Sequence, residues 1–313
     1  MKNFTSVADV SDLPSLLKTA FTLKKNPLSN SSGRGKTLVL LFFNPSLRTR
    51  LSTEKAGLNL GMQVMVMNAA QGWQLGFEEG MIMNGGEAEH IKEAAAVISQ
   101  YADIIGIRSF PSLTDREKDY RDEILQKFME FADVPVVSLE SAILHPLQSL
   151  ADHMTIEENK KRERPVVVLS WAPHPRALPQ AVSNSFLHWM ATTDYELRIA
   201  HPEGYELAPE FAANIPVYHD QKAAFEGADF VYAKNWSSYK DYGKVLHQDA
   251  AWMIDEAKMS VTREGYFMHC LPVRRNVVVA DEILDGPRSL VIQQANNRTY
   301  AAQAVLQTLL QGL

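Results

Sequence analysis

Three short stretches carry side chains able to handle an anion or an acyl group. In the first, Ser46, Arg48, Thr49 and Arg50 stand within five residues, directly after an apolar run and the pair Asn44-Pro45. An apolar run that stops at Asn-Pro and gives way to hydroxyls and arginines suggests a buried strand leading through a loop into a helix. A helix N-terminus carries unpaired N–H groups and the positive end of the helix dipole, so it attracts phosphate. Ser46 and Thr49 would add hydroxyls there, and Arg48 a planar fork suited to phosphate oxygens. A polar cap with solvated arginines is the plainer reading of the same residues.

The second stretch is LHPLQSLAD, residues 144–152. His145 and Gln148 are three apart, so on a first helical turn both could face one site. The stretch follows a predicted strand, at the end where open α/β sheets bind ligands. A lone histidine is otherwise most often a hydrogen-bonded structural residue. The third stretch, FMHCLPVRR at 267–275, puts the only cysteine, Cys270, at another strand end, beside Leu271-Pro272, Arg274 and Arg275. A free cysteine is usually inert packing, whereas the two arginines favour an anionic ligand. Arg108 lies just past a further strand, where a guanidinium is costly unless it has a partner.

Other chemistries are absent from the pattern. SSGRGKT (31–37) looks like the end of a phosphate-binding P-loop, but Asn30 stands where the first glycine is needed, and the segment precedes a strand instead of following one. It reads as a loop that launches the strand. No G-x-G-x-x-G follows a strand. Nine histidines include no H-E-x-x-H, and one cysteine cannot build a thiolate zinc site. G-x-S-x-G is missing as well. Neither a metal nor an organic cofactor is expected.

The elements that must position these residues come from apolar patterning. Strands are predicted at 37–43, 63–67, 103–107, 134–139, 165–171, 196–200, 229–232, 266–269 and 289–292. They are Val-, Ile- and Leu-rich and mostly lack alternation, which indicates parallel sheets covered on both faces. Helical spacing is seen over 87–101, 178–190 and 301–310, and Ser11 with Pro14 reads as a helix start. The charge run IEENKKRERP (156–165) reads as a solvated helix end and as a place for a domain junction. The expected architecture is α/β: two doubly wound domains, each with a central parallel sheet, joined by interdomain helices.

A chain of 313 residues, 46% hydrophobic, is long enough for two domains with real cores. A net charge of -6 argues against a general nucleic-acid binder while leaving room for a local basic pocket. The single cysteine excludes an internal disulfide and fits a reducing compartment. The N-terminal segment has no long apolar core, and no run approaches a spanning length, so no secretory signal and no membrane span are expected. A cytoplasmic protein is the expectation.

Taken together, the three stretches resemble the signatures of the aspartate/ornithine carbamoyltransferase family. S-x-R-T-R is present as Ser46-Leu47-Arg48-Thr49-Arg50, H-P-x-Q as His145-Pro146-Leu147-Gln148, and H-C-L-P as His269-Cys270-Leu271-Pro272. The order and spacing fit across nearly the whole chain. The resemblance implies a carbamoyl-phosphate domain over 1–150, with a C-terminal helix at 296–313 returning to it, and an amino-acid domain over 151–295. It also implies a homotrimer with active sites shared between neighbours.

The acceptor amine is a separate question. Ornithine enzymes carry an Asp and a Ser-Met-Gly motif for the free α-amino acid. Here the corresponding stretch looks like DFVYAKNWSSY (229–239), without Ser-Met-Gly and with Lys234. A free α-ammonium wants a carboxylate partner; once acylated it is neutral, and a lysine that binds carboxylate suits the ligand better. WAPHPRALPQAV (171–182) and QGWQLGFEEG (71–80) likewise resemble the N-acylornithine branch. Within it, Leu147 is similar to the succinyl enzymes, the acetyl enzymes tending to carry Cys there. Two before His90 the succinyl enzymes typically have Pro and the acetyl enzymes Glu. Ala88 is neither, but unlike Glu it would not repel a succinyl carboxylate. N2-succinylornithine is the expected acceptor. N-acetylornithine is the alternative, followed by ordinary ornithine or a non-catalytic carbamoyl-phosphate-binding protein.

By the same resemblance, Ser46, Leu47, Arg48 and Thr49 hold the phosphate, Arg298 adds charge, and Trp73 reaches in from the neighbouring subunit. Arg108, His145 and Thr49 polarise the carbamoyl carbonyl, Gln148 orients its amide, and Cys270 with the Leu271 carbonyl lies near the attacking amine. The Leu271-Pro272 bond is expected to be cis. Glu140, His174, Lys234 and Arg274 are expected at the acylated amino-acid end. Glu140, Trp73 and His174 each have a plain structural alternative: an ion-pair partner, a loop anchor and a turn residue.

Overall fold

The computed structural model describes residues 1–69 and 73–313. Gln71 and Gly72 of the 71–80 stretch lie outside the described residues. Among the described residues eleven strands run in chain order: β1 (Thr37–Phe42), β2 (Gln63–Asn68), β3 (Leu75–Gly76), β4 (Glu89–His90), β5 (Ile104–Arg108), β6 (Val136–Glu140), β7 (Val166–Trp171), β8 (Glu196–Ala200), β9 (Val217–Tyr218), β10 (Phe230–Lys234) and β11 (Tyr266–Met268). The chain divides into two compact units. Met1–Pro111, Glu117–Leu147 and Arg298–Leu313 form the first; Ser112–Arg116 and Gln148–Asn297 form the second.

The first unit is built on a parallel sheet of order β2-β1-β5-β6. β5 and β6 are buried at every position, and β1 at all but its first, as expected where helices cover both faces. β2 is the edge strand and exposes Met65 and Met67. One core gathers Val39, Leu41, Ile105 and Ile107 from the sheet with Ile91, Leu125 and Phe128 from helices. The second unit has a parallel sheet of order β11-β10-β7-β8-β9, with β7 buried throughout. In both sheets the strands that neighbour each other are not all consecutive in sequence, so crossovers bring the strand ends carrying the motifs side by side.

Two expectations are corrected, and one helix start is refined. Residues 289–292 are not a strand: Ser289 makes a single parallel bridge to Phe267, and the chain then enters the helix Val291–Leu310. That helix starts ten residues before the predicted 301, because its first half is polar and yet buried at Gln294, Asn297 and Arg298. The first long helix, Leu13–Lys25, is capped by Asp12 and not Ser11; the Asp12 carboxylate accepts from the Ser15 amide at 3.0 Å, with Pro14 in the first turn. The change of unit falls at Leu147/Gln148, inside the helix Pro146–Asn159, ahead of the charge run that ends this helix and leads to β7. No helix among the described residues is long and apolar enough to cross a membrane.

Candidate active site

The first unit gathers its motif residues at the carboxyl ends of β1, β5 and β6. After β1 the chain passes Asn44 and Pro45 into the helix Arg48–Asn59, and the Ser46 hydroxyl accepts from the Thr49 amide at 3.3 Å. Leu47 exposes 66% of its surface, so only its backbone is placed to serve a ligand. Thr49 is buried, and its hydroxyl accepts from the Arg298 guanidinium at 2.6 Å. The same Arg298 nitrogen lies 3.5 Å from His145 Nε2. Arg108, the last residue of β5, donates through Nε to Glu140 at 3.1 Å, and its Nη2 lies 3.0 Å from the same carboxylate oxygen. Its Nη1 donates to the Asn44 and Pro45 carbonyls at 2.9 and 2.8 Å. Glu140 Oε2 is in turn 3.7 Å from His145 Nε2.

Arg108 is therefore tied to the loop that carries Ser46 and to the end of β6. A buried guanidinium held this way is pre-organised, because its partners fix its plane before any ligand arrives. Arg108 and Arg298 are both buried here, and the Glu140 carboxylate pairs with Arg108. Arg50, the last residue of the first motif, stands apart: it lies 3.6 Å from Glu54 with its side chain 43% exposed. Glu140, expected at the amino-acid end, stands among the residues of the first unit, paired with Arg108.

The second unit presents its residues at the carboxyl ends of β7, β10 and β11. Lys234 ends β10, and His174 and Arg274 lie shortly after β7 and β11. Arg274 Nε donates to His174 Nε2 at 3.0 Å. That makes Nε2 the acceptor, while Nδ1 faces both the Arg176 carbonyl at 2.9 Å and the Arg176 N–H at 3.1 Å. Burial, and then the charges of Arg274, Lys234 and Arg176, hold the His174 pKa below its usual value and keep the ring neutral. Neither Lys234 nor Arg274 has a salt-bridge partner among the described residues. Arg275 is committed elsewhere, to Asp281 and Asp285 at 2.9 and 2.6 Å. Cys270 is buried, and the Leu271-Pro272 bond is cis with Leu271 at φ 56.

Trp73 belongs to the first unit, stacks on Phe43 with ring centroids 6.5 Å apart, and donates to Glu89 at 3.0 Å. Ala88 is exposed, and its amide donates to the Gln74 carbonyl at 2.9 Å beside β3 and β4. In the second unit, Gln148 sits on the helix Pro146–Asn159, 1% exposed, and donates to Asp152 at 2.7 Å. Asp152, Gln294 and Tyr232 around it are fully buried and were not singled out by the sequence. The available signal was modest: Asp152 stands four after Gln148, the spacing that stacks two side chains on one helix face.

Residues 2–158 match the aspartate/ornithine carbamoyltransferase carbamoyl-P binding domain, and residues 179–309 match the Asp/Orn binding domain of the same family. The chain is 54% identical to an N-succinylornithine carbamoyltransferase of Bacteroides thetaiotaomicron, over 100% of both. It is 35% identical to an N-acetylornithine carbamoyltransferase of Xanthomonas campestris, over 99% of this chain and 98% of the other. A crystallised N-acetyl-L-ornithine transcarbamylase variant, complexed with carbamyl phosphate and N-succinyl-L-norvaline, superposes with a TM-score of 0.93 at 35% identity, covering 99% of this chain and 100% of that one.

Proposed function

The chain belongs to the aspartate/ornithine carbamoyltransferase family, and on that premise we propose that it transfers the carbamoyl group of carbamoyl phosphate to the δ-amine of N2-succinyl-L-ornithine, giving N-succinylcitrulline and phosphate in arginine biosynthesis. The observation that carries the acceptor is the pair of cations Lys234 and Arg274, unmatched by carboxylates and set around a neutral His174. An acylated ornithine offers carboxylate there and no α-ammonium. Ala88 places no charge against a second carboxylate.

Ser46, the Leu47 backbone, Arg48, Thr49 and Arg298 receive the phosphate at the start of the helix Arg48–Asn59. Arg108, His145 and Thr49 donate to the carbamoyl oxygen as it becomes an oxyanion, the usual large contribution in acyl transfer. The δ-amine attacks as the free base. Its solution pKa is near that of lysine, and desolvation beside Cys270 and the Leu271 carbonyl lowers it. The carbamoyl carbon–oxygen bond then breaks, and the departing phosphate takes the proton, so no protein base and no cofactor enter. Glu140 reaches the acceptor through its hold on Arg108.

The assembly is a homotrimer in which Trp73 serves the neighbouring protomer. Support comes from the exposed apolar surface of the first unit: Leu51 and Leu58 on one face of the helix Arg48–Asn59, and Met65 and Met67 on the edge strand β2. Surface of this kind is usually buried by a partner. The protein acts in the cytoplasm. An acceptor screen with ornithine, N-acetylornithine, N2-succinylornithine and aspartate tests the reading. Fastest turnover with the succinyl compound supports it; preference for the acetyl compound replaces the acceptor; carbamoyl phosphate binding without any product removes the activity.

A further inference from the structure

Gln148 is buried, and its two amide ends have different surroundings. Nε2 donates to Asp152 Oδ1 at 2.7 Å, whereas Oε1, also buried, has no hydrogen-bond partner. Asp152 is itself fully buried and accepts a second bond on the same oxygen, from Gln294 Nε2 at 2.6 Å. The Gln294 amide is fixed at its other end, where its oxygen accepts from the His269 backbone N–H at 3.0 Å. One carboxylate thus joins the helix of the H-P-x-Q motif to the start of the H-C-L-P motif. Tyr232 faces the same carboxylate and Cys270; burial, and then the Asp152 charge, raise its pKa well above the usual phenol value, so it stays a neutral hydroxyl.

An ionised carboxylate only accepts, while a primary amide has one accepting end and one donating end. Asp152 therefore decides which end of Gln148 turns away from it. A flipped amide would set two acceptors against each other in a buried place. The oxygen left over is an unmatched acceptor, and such a group is costly until a donor arrives.

We propose that Asp152 is a positioning and specificity-determining residue: it locks the Gln148 amide with Oε1 toward the ligand, so that the site selects an acyl phosphate whose carbonyl bears NH2 over one whose carbonyl bears CH3. The inference rests on the carbamoyl-transfer reading above. Acetyl phosphate has nearly the same shape as carbamoyl phosphate and the same phosphate, but its methyl group leaves the Gln148 oxygen buried and unpaired. A site built around such a bond rejects the analogue that lacks the donor by about ten- to a hundredfold or more.

The test measures, in the full chain, kcat/KM for carbamoyl phosphate and the inhibition constant of acetyl phosphate against it, for the wild type and for Asp152→Asn, Asp152→Leu and Asp152→Ala. Asn still offers an oxygen to both glutamines, so its preference for carbamoyl over acetyl phosphate stays within about threefold of wild type. Leu offers none, so the preference falls about tenfold or more, through loss with carbamoyl phosphate while acetyl phosphate inhibition is unmoved. Equal weakening toward both ligands, or an unchanged ratio in a folded Leu variant, overturns the proposal. If circular dichroism shows Asp152→Leu unfolded, Asp152→Ala is read by the same criterion. If neither folds, the Asn variant decides: lost preference in a folded protein shows that charge and not an accepting oxygen is responsible, which also overturns the proposal, and retained preference supports it. Absence of carbamoyl transfer in the wild type would instead remove the functional reading itself.

Discussion

The two units hold buried carboxylates of opposite character. In the first, Glu140 is ringed by cationic and ionisable groups: Arg108 at 3.0 Å and His145 at 3.7 Å. In the second, Asp152 is held by the neutral amides of Gln148 and Gln294 at 2.7 and 2.6 Å. Charge against charge supplies strength, and it tolerates small changes of angle. Amide against carboxylate supplies direction, because an amide has two distinguishable ends. A phosphate needs the first; telling an amino group from a methyl group needs the second.

The contrast can be broken most severely at Arg108. Arg108→Ala removes the proposed oxyanion donor and leaves Glu140 buried without its main partner. Turnover falls about a hundred- to a thousandfold, and the first unit loses about 3–5 kcal/mol; steady-state rates and a urea titration measure the two losses. The next effect belongs to the second unit. His153 is 4% exposed, accepts from Trp189 Nε1 at 3.1 Å, and has its pKa lowered by burial to about 4. The unfolded chain binds that proton near 6.5, so the stability His153 contributes is complete above that pH and is lost as pH falls toward 4, about 3 kcal/mol in all. In the first unit Asp122 works the other way. Burial raises its pKa, so its contribution is present at low pH and lost as pH rises. Through His153, acid should therefore weaken the second unit. Trp171, Trp189, Trp236 and Trp252 lie in it, so the urea midpoint by tryptophan fluorescence should drop between pH 6.5 and 4, and His153→Gln should flatten that slope.

Lys234→Ala sharpens the comparison at smaller cost. Loss of one unpaired cation raises the acceptor KM about tenfold or somewhat more and leaves the carbamoyl phosphate KM within about twofold. The smallest effect is expected at Arg50, which shares a motif with Arg48 but pairs loosely with Glu54 at the surface. Arg50→Ala changes kcat/KM less than about twofold, since an exposed i,i+4 pair contributes about 0.5 kcal/mol or less.

Legibility in the sequence followed the same division. β1, β5, β6, β7 and β10 stood out because each is buried on both faces and spells a continuous apolar run. The S-x-R-T-R segment stood out because charges crowd a strand end. Residues 289–292 misled because a short apolar run fits either a strand or the entrance to a helix, and Ile292 in fact points outward, 74% exposed. The first half of Val291–Leu310 was hidden for a better reason. Its buried face carries Gln294, Asn297 and Arg298, so the apolar period fails where the helix serves the site. Asp152 escaped notice because its second partner, Gln294, lies 142 residues further along the chain. β9 and the pair β3 and β4 are two-residue strands, too short to show a period.

Two of the places where the chain changes unit fall inside long continuous helices, at Leu147/Gln148 and at Asn297/Arg298. The second of them contributes to both chemistries: Gln294 belongs to the amide network, and Arg298, one turn later, to the charged one. This limits how a new acceptor specificity can arise. A gene fusion that exchanged the second unit would have to cut and rejoin both helices without gaining or losing a residue, since a single insertion turns everything beyond it by about 100°. Wholesale replacement of the acceptor half is thus a poor route, and single substitutions at positions such as Lys234 and Ala88 are the open one.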